Sequence, residues 1–376
     1  MIRVTVFADH DLKHPLAGGA NVNLEENLKR LASRFEIRLL CGWSPGLRRE
    51  ETCAGVRIIR FPGNPLSLRA KIPLWYKENL EDRTDVVWDE VDFSVPWMTP
   101  LFTRKPVLLH CLHLQKGNFF LELPWWKAAP AYCLEPWLYK LYRGRRVLSI
   151  SPSTRASLLE LGFPAESLDM VPPGLDPAVL AGGRGAFERK PDRPVIAALS
   201  RLRAWKGVHF AVAAMKEILP KVPDAELRII GTGPYEPELR ALVRDLDIEP
   251  SVKFLGRLSE EEKLAELARA HILTKTSGRE GWGIDVLEAN ANFTPAVGWD
   301  VPGTRDSIRN GRTGTLVPFG DVAGLAREAV RLLTDAPLRR KLASAAYEYS
   351  AGLTWDKSSE AIARILEGMA GGAGRG

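Results

Sequence analysis

The chain lacks any apolar run of the eighteen or so residues that a membrane-spanning helix needs, and has only four cysteines in 376 residues. Cys41, Cys53, Cys111 and Cys133 form no CxxC pair and no zinc-ligand spacing. That excludes a zinc ribbon and a disulfide framework, and reads as reduced core thiols. No repeat recurs at solenoid or propeller periods. The start, Met1-Ile2-Arg3-Val4-Thr5-Val6-Phe7, meets charge at Asp9 and has no signal-peptide apolar stretch. It reads as a first buried strand, which makes the expected location cytoplasmic.

The net charge of +6 raises the question of nucleic acid. Residues 1–180 hold 23 Lys+Arg against 20 Asp+Glu, and the remainder 29 against 26, so each part carries +3. Neither part is a basic domain and no nucleic-acid motif accompanies the charge, so no nucleic-acid partner is expected. A modest positive balance fits phosphorylated ligands, or peripheral contact with the anionic inner face of a membrane.

What is present is alternation of β-type apolar runs with helical patterns, the pattern of parallel sheets covered on both faces. Strands are predicted at 2–7, 37–41, 56–60, 85–88, 107–112, 147–150 and 168–171, then at 195–199, 226–230, 252–255, 272–274, 295–298 and 314–317. The glycines and prolines of 181–194 mark a linker. The expected fold is α/β, with two Rossmann-like doubly wound domains, 1–180 and 190–355, facing each other across a cleft. Residues 356–368 form a last amphipathic helix before a glycine-rich tail, Gly368–Gly376.

Ligands of such sheets bind at the carboxyl ends of the strands, and several motifs fall there. Arg201 and Lys206, in Ser200-Arg201-Leu202-Arg203-Ala204-Trp205-Lys206-Gly207, can converge on one anion. Gly231-Thr232-Gly233 permits close approach of backbone to a ligand, or a plain turn. Gly278-Arg279-Glu280-Gly281-Trp282-Gly283-Ile284 leads into a helix bearing Asp285 and Glu288. Its free first-turn N–H groups suit a phosphate, and the two glutamates suit sugar and ribose hydroxyls. In the first half, Gly18-Gly19 open a helix, His110 and His113 end a strand, and Asp89, Glu90 and Asp92 follow another. Asp9-His10-Asp11 imitates an Asp-x-Asp metal motif, but nothing else implies metal ligation.

Together these segments resemble the retaining glycosyltransferases of family four, which have the GT-B fold. The match runs through Gly18-Gly19, His110-Cys111-Leu112-His113, Pro172-Pro173-Gly174, Arg201, Lys206, Gly231-Thr232-Gly233, Val301-Pro302-Gly303 and the E-x7-E pair Glu280 and Glu288. The resemblance implies hexosyl transfer from a nucleoside-diphosphate sugar to a hydroxyl acceptor, without metal or other cofactor. It implies that Arg201 and Lys206 bind the donor diphosphate and stabilise the leaving group. Glu288 then holds the ribose, Glu280 the donor sugar, and Gly281, Trp282, Gly283 and Ile284 surround the phosphates. Gly231 lines the same site, and Gly18, Gly19 and one of His110 and His113, preferably His113, contact substrate. The alternatives are another GT-B enzyme, such as a nucleotide-sugar epimerase, or a non-catalytic sugar-nucleotide-binding subunit.

Two departures stand out. Asp285 places a carboxylate in the first turn of the phosphate-binding helix, and Phe293 stands where related sequences have glycine, with Asn292 the expected substitute in that turn. The acceptor is not read from the sequence. Residues 119–146 are dense in aromatics and end in Arg143, Arg145 and Arg146. They form an acceptor groove, a surface resting on anionic membrane for a lipid-linked acceptor, or simply buried helices.

Overall fold

The computed structural model describes residues 1–91 and 95–372, the side chains of Glu122 and Gly372 aside. Asp92 and the last four residues of the glycine tail lie outside the described residues. The chain divides into two units, Met1–Gly174 joined by the segment from Trp355, and Leu175–Thr354.

In the first unit, β1 (Ile2–Phe7), β2 (Phe35–Gly42), β3 (Glu50–Cys53), β4 (Val56–Phe61), β5 (Val86–Val91), β6 (Val107–Cys111), β7 (Arg146–Ser149) and β8 (Leu168–Met170) form one sheet in the order β3-β4-β2-β1-β5-β6-β7-β8. All neighbours are parallel except β3 and β4. β3, which the sequence pattern misses, is a polar edge strand joined to β4 by a hairpin whose Ala54 and Gly55 both take positive φ. The Trp355–Gly372 helix buries Ile362, Ala363 and Leu366 in one cluster with Val4, Val6, Leu24 and Leu28. Arg30–Asp356 and Arg34–Glu360 ion pairs flank it, at 2.7 and 2.6 Å. Those surface pairs contribute little beside the apolar burial.

In the second unit, β9 (Val195–Leu199), β10 (Glu226–Ile230), β11 (Val252–Gly256), β12 (Ile272–Lys275), β13 (Ala296–Trp299) and β14 (Gly314–Val317) form an all-parallel sheet. Its order, β11-β10-β9-β12-β13-β14, is the 3-2-1-4-5-6 arrangement of a dinucleotide-binding domain. The order reverses between β9 and β12, so the loops after those two strands flank the crevice where such sheets hold ligands. The unit begins at Leu175, before the expected linker, because the Pro177–Gly183 helix packs onto the Ile284–Ala291 helix. A Cβ on Gly183 would stand 1.8 Å from the Ala291 carbonyl oxygen.

One core group carries a pH dependence. His271 is buried, and its Nδ1 accepts the Val195 N–H at 3.1 Å. Burial, then the charges of Arg339 and Lys190, lowers its pKa from 6.5 to about 4. The unfolded chain therefore takes up this proton before the folded chain does. Stability is lost as pH falls from 6.5 toward about 4, by at most about 3 kcal/mol. Urea titrations of the protein and His271→Gln at pH 7.5 and 4.5 should show a smaller acid loss in the variant; equal losses would refute the assignment.

Candidate functional site

The loops at the reversal point are locked to each other by backbone. Gly278 N–H donates to the Trp205 carbonyl at 3.1 Å, and Leu202 N–H to that of Thr232 at 2.9 Å. Gly231, at φ +125°, has no room for a side chain, since a Cβ would lie 2.0 Å from the Ser200 carbonyl oxygen. The close approach that the glycines of 231–233 permit is therefore to the 200–202 loop. Gly303 acts in the same way on the chemistry. A Cβ there would meet the Glu280 carbonyl oxygen at 2.1 Å, while Glu280 N–H donates to the Pro302 carbonyl at 3.0 Å. Val301-Pro302-Gly303 is thus the strut that fixes Glu280.

On this frame sit four charges. Lys206 Nζ meets Glu280 Oε1 at 2.7 Å, and Lys275 Nζ meets the same oxygen at 2.8 Å. Lys275, the last residue of β12, also holds both carboxylate oxygens of Asp285, at 2.9 and 2.8 Å. Lys206 lies over the Trp205 ring, 4.1 Å from its centroid. Lys275 is only 4% exposed, and the other three side chains 11–14%. Burial alone would favour the neutral acid of Glu280, but Lys206 and Lys275 outweigh it and hold the carboxyl well below its usual range. Burial likewise opposes the charge of Lys275, and Asp285 and Glu280 more than restore it. Held by two ammoniums, the Glu280 carboxylate is suited to accepting hydrogen bonds rather than to delivering a proton. Both lysines meet it at Oε1.

Two ammoniums and two carboxylates cancel. Beside them stand Arg201, half-buried on the same loop as Lys206, and the positive end of the helix that starts at Ile284. That helix, Ile284–Ala291, begins after Gly283 at φ +107°, and no side chain caps it. Gly281 is half-buried and Trp282 buried at this turn. Asp285 does not compete for an anion there, because it is turned onto Lys275. One turn on, Glu288 Oε1 meets Lys263 of the Glu260–Arg269 helix at 2.9 Å. Burial foremost raises the Glu288 pKa, with Lys263 opposing. Sequence reasoning missed Lys275 and Lys263.

The Phe293 turn corrects the expectation. Phe293 itself adopts the left-handed conformation, φ +53°, and stacks on Tyr347 with ring centroids 4.4 Å apart. Asn292 stays at negative φ, its amide donating to the Glu288 carbonyl at 2.9 Å. The cost of positive φ for a bulky residue is offset by that stacking.

The first-unit candidates separate into buried and accessible groups. His110 belongs to the core: its Nδ1 lies 2.7 Å from Glu90 Oε2, which also accepts the Trp88 indole N–H at 2.8 Å. It is 1% exposed because β6 continues to Cys111, which keeps position 110 inside the sheet. His113, two residues past β6, is half-buried. Asp89 is spent on structure, accepting from Trp97 N–H, Thr99 Oγ1 and the Tyr142 hydroxyl. Asp9 is engaged by Arg69 and Asp11 by Arg60, both at 2.5 Å, which leaves the Asp-x-Asp triplet as two ion pairs. Gly18 precedes the Gly19–Leu31 helix, its N–H held by Asn21 Oδ1 at 3.0 Å.

Comparison with known proteins places this geometry. The profile of Glycosyltransferase Family 4 matches residues 17–179, and that of Glycosyl transferases group 1 matches 184–349. A GDP-mannose-dependent alpha-(1-6)-phosphatidylinositol monomannoside mannosyltransferase of Mycobacterium tuberculosis is 32% identical over 237 residues, 59% of this chain and 61% of that one. A D-inositol 3-phosphate glycosyltransferase of Nocardia farcinica is 29% identical over 230 residues, 58% and 51% of the two chains. The matches thus span about three-fifths or less of these relatives' length. Sucrose-phosphate synthase of Thermosynechococcus elongatus has the same fold, with a TM-score of 0.83 over 98% of this chain and 99% of that one, at 20% identity. Since the two profiles between them cover both sheets, and Lys206, Glu280 and Glu288 stand at the reversal point of the second, the chain belongs to glycosyltransferase family 4 and has the GT-B fold.

Proposed function

We propose that the protein is a retaining glycosyltransferase that moves a hexosyl group from a nucleoside-diphosphate sugar to a hydroxyl acceptor. The observation that carries this reading is the buried Lys206–Glu280–Lys275–Asp285 cluster beside an uncapped helix start at the sheet's reversal point. Cleaving the anomeric bond builds negative charge on the departing diphosphate. Arg201, Lys206 and the N–H groups of Gly283 and Ile284 are fixed in advance to receive that charge, which is how a preorganised site lowers the barrier. Glu280, kept as a carboxylate by the two lysines, accepts hydrogen bonds from hydroxyls of the transferred sugar, and Glu288 from those of the ribose. In the first unit, Gly18, Gly19 and His113 are assigned to substrate contact. His110 is withdrawn from that role by its burial. The lipid-linked acceptor named for the Mycobacterium relative supports a lipid-linked hydroxyl acceptor for this chain too, reached by an enzyme acting peripherally at a membrane.

The cations take the part that a metal plays in other transferases, so transfer is expected to persist in excess EDTA. The test supplies UDP-, GDP- and ADP-sugars with candidate acceptors and follows the anomeric configuration by NMR. Activity abolished by chelation and restored by Mn²⁺, or inversion at the anomeric carbon, would overturn the reading.

A further inference from the structure

Among the described residues no helix is long and apolar enough to cross a membrane, yet one helix carries an apolar face that no described residue covers. The Trp125–Lys140 helix is two-sided. Ala128, Glu135 and Tyr139 point inward and are buried. The opposite stripe runs through Trp126, Leu134 and Trp137, which are 56%, 54% and 66% exposed. Trp125 at the helix start is 76% exposed, and Phe120 on the preceding turn 50%. Three largely exposed tryptophans within thirteen residues are far from the usual scatter of single surface apolars.

The charge pattern of the same face identifies the occupant. Lys127 Nζ lies over the Trp126 ring at 4.7 Å, and Lys140 Nζ over the Trp137 ring at 4.5 Å. Between Leu123 and Arg146 the sequence holds five cations and one acid, Glu135. That acid is turned inward, where it accepts the Gln115 and Lys116 N–H groups at 2.7 and 3.0 Å. What the helix presents outward is therefore indole and ammonium together, with its carboxylate withdrawn. Indoles prefer the boundary between headgroups and acyl chains, and lysines beside them meet anionic headgroups.

We infer that the exposed face of the Trp125–Lys140 helix is a docking surface for an anionic lipid bilayer, which the three tryptophans enter to the level of the headgroups. This deepens the lipid-acceptor reading, but its test does not depend on turnover. The full-length protein is mixed with vesicles of phosphatidylcholine alone, or of phosphatidylcholine with phosphatidylglycerol, and sedimented. Two variants accompany it, Trp125→Ser/Trp126→Ser/Trp137→Ser and Lys127→Glu/Lys140→Glu. All five side chains lie outside the catalytic machinery, and circular dichroism checks that both variants fold. The parent should partition to anionic vesicles at least about tenfold more strongly than to neutral ones, and each variant should lose about tenfold or more. Raised salt should weaken the parent's binding, and brominated lipids should quench its tryptophan fluorescence. No binding by the parent, or equal binding by parent and variants, would overturn the inference. So would a parent dimer that the tryptophan variant converts to monomer, since the face would then belong to a second copy of the chain. Calorimetry with a nucleoside diphosphate on the same samples reads the donor site separately, so a failed donor site and a failed docking surface are distinguishable.

Discussion

Glu280→Gln is expected to bind free nucleoside diphosphate at least as tightly as the parent while its turnover falls about a hundredfold. The parent cluster balances Lys206 and Lys275 against Glu280 and Asp285. Removing the charge of Glu280 leaves a net positive charge beside the phosphate position, which favours an anion. What is lost is the fixed acceptor that orients the transferred sugar, and misplacement by about an ångström can cost about 10²-fold in rate. Glu288→Gln should behave differently, weakening free diphosphate and sugar nucleotide alike by about tenfold, because both ligands carry the ribose. The measurement is calorimetry of both variants with both ligands, alongside kcat. A Glu280→Gln protein with weakened diphosphate affinity and undiminished kcat would contradict the division of roles between the two glutamates. Matched losses in all four combinations would mean that the 278–288 loop collapses when either carboxylate is removed.

The second large effect concerns stability. Lys275→Met removes a buried cation from two carboxylates at once, leaving Glu280 with Lys206 and Asp285 with no ion-pair partner among the described residues. Breaking a buried pair from one side typically costs about 3–5 kcal/mol. Lys275→Met/Asp285→Leu restores neutrality and replaces the pair with apolar volume, so it should be much more stable than the single variant. Chemical denaturation followed by a probe in the second unit gives the double-mutant cycle. A coupling of about 2 kcal/mol or more is expected, and additive effects would show that the two side chains do not depend on each other. Diphosphate affinity should fall in Lys275→Met and recover in the double variant, since the first leaves an excess negative charge at the site.

Much of this architecture is visible in the sequence because parallel strands buried on both faces are short, apolar and periodic. Runs such as Val195–Leu199 and Glu226–Ile230 can be placed to within a residue or two. β3 could not be, because Glu50-Glu51-Thr52-Cys53 is an edge strand whose polar composition matches a loop. In the site, the glycines and the E-x7-E spacing were readable, but the reason for several glycines was not. Gly231 and Gly303 are small to admit other backbone, and only a structure shows which backbone. Lys275 left a signal that pattern reading passed over: a lysine ending an apolar strand, ten residues before an acid out of place at a phosphate-binding helix start. Each anomaly explains the other once the turn between them is built. His113 was preferred over His110 but the two could not be separated, because both close one apolar run and only the structure shows that the strand ends at Cys111, between them. The aromatic stretch resisted for a different reason. One helix there is both core and surface, and the pattern does not say which face meets the protein.

The Trp355–Gly372 helix has a consequence for how the protein comes into being. The strands of the first unit leave the ribosome early, but the helix that seals Val4, Val6, Leu24 and Leu28 is made after the whole of Leu175–Thr354. At about 5–20 residues per second, that interval lasts roughly 10–40 s. Throughout it the first sheet waits with an open apolar side, and the second unit has its complete sequence before the first unit has its own. Nascent chains stalled before Trp355 should therefore hold a protease-resistant second unit and a first unit that chaperones still recognise.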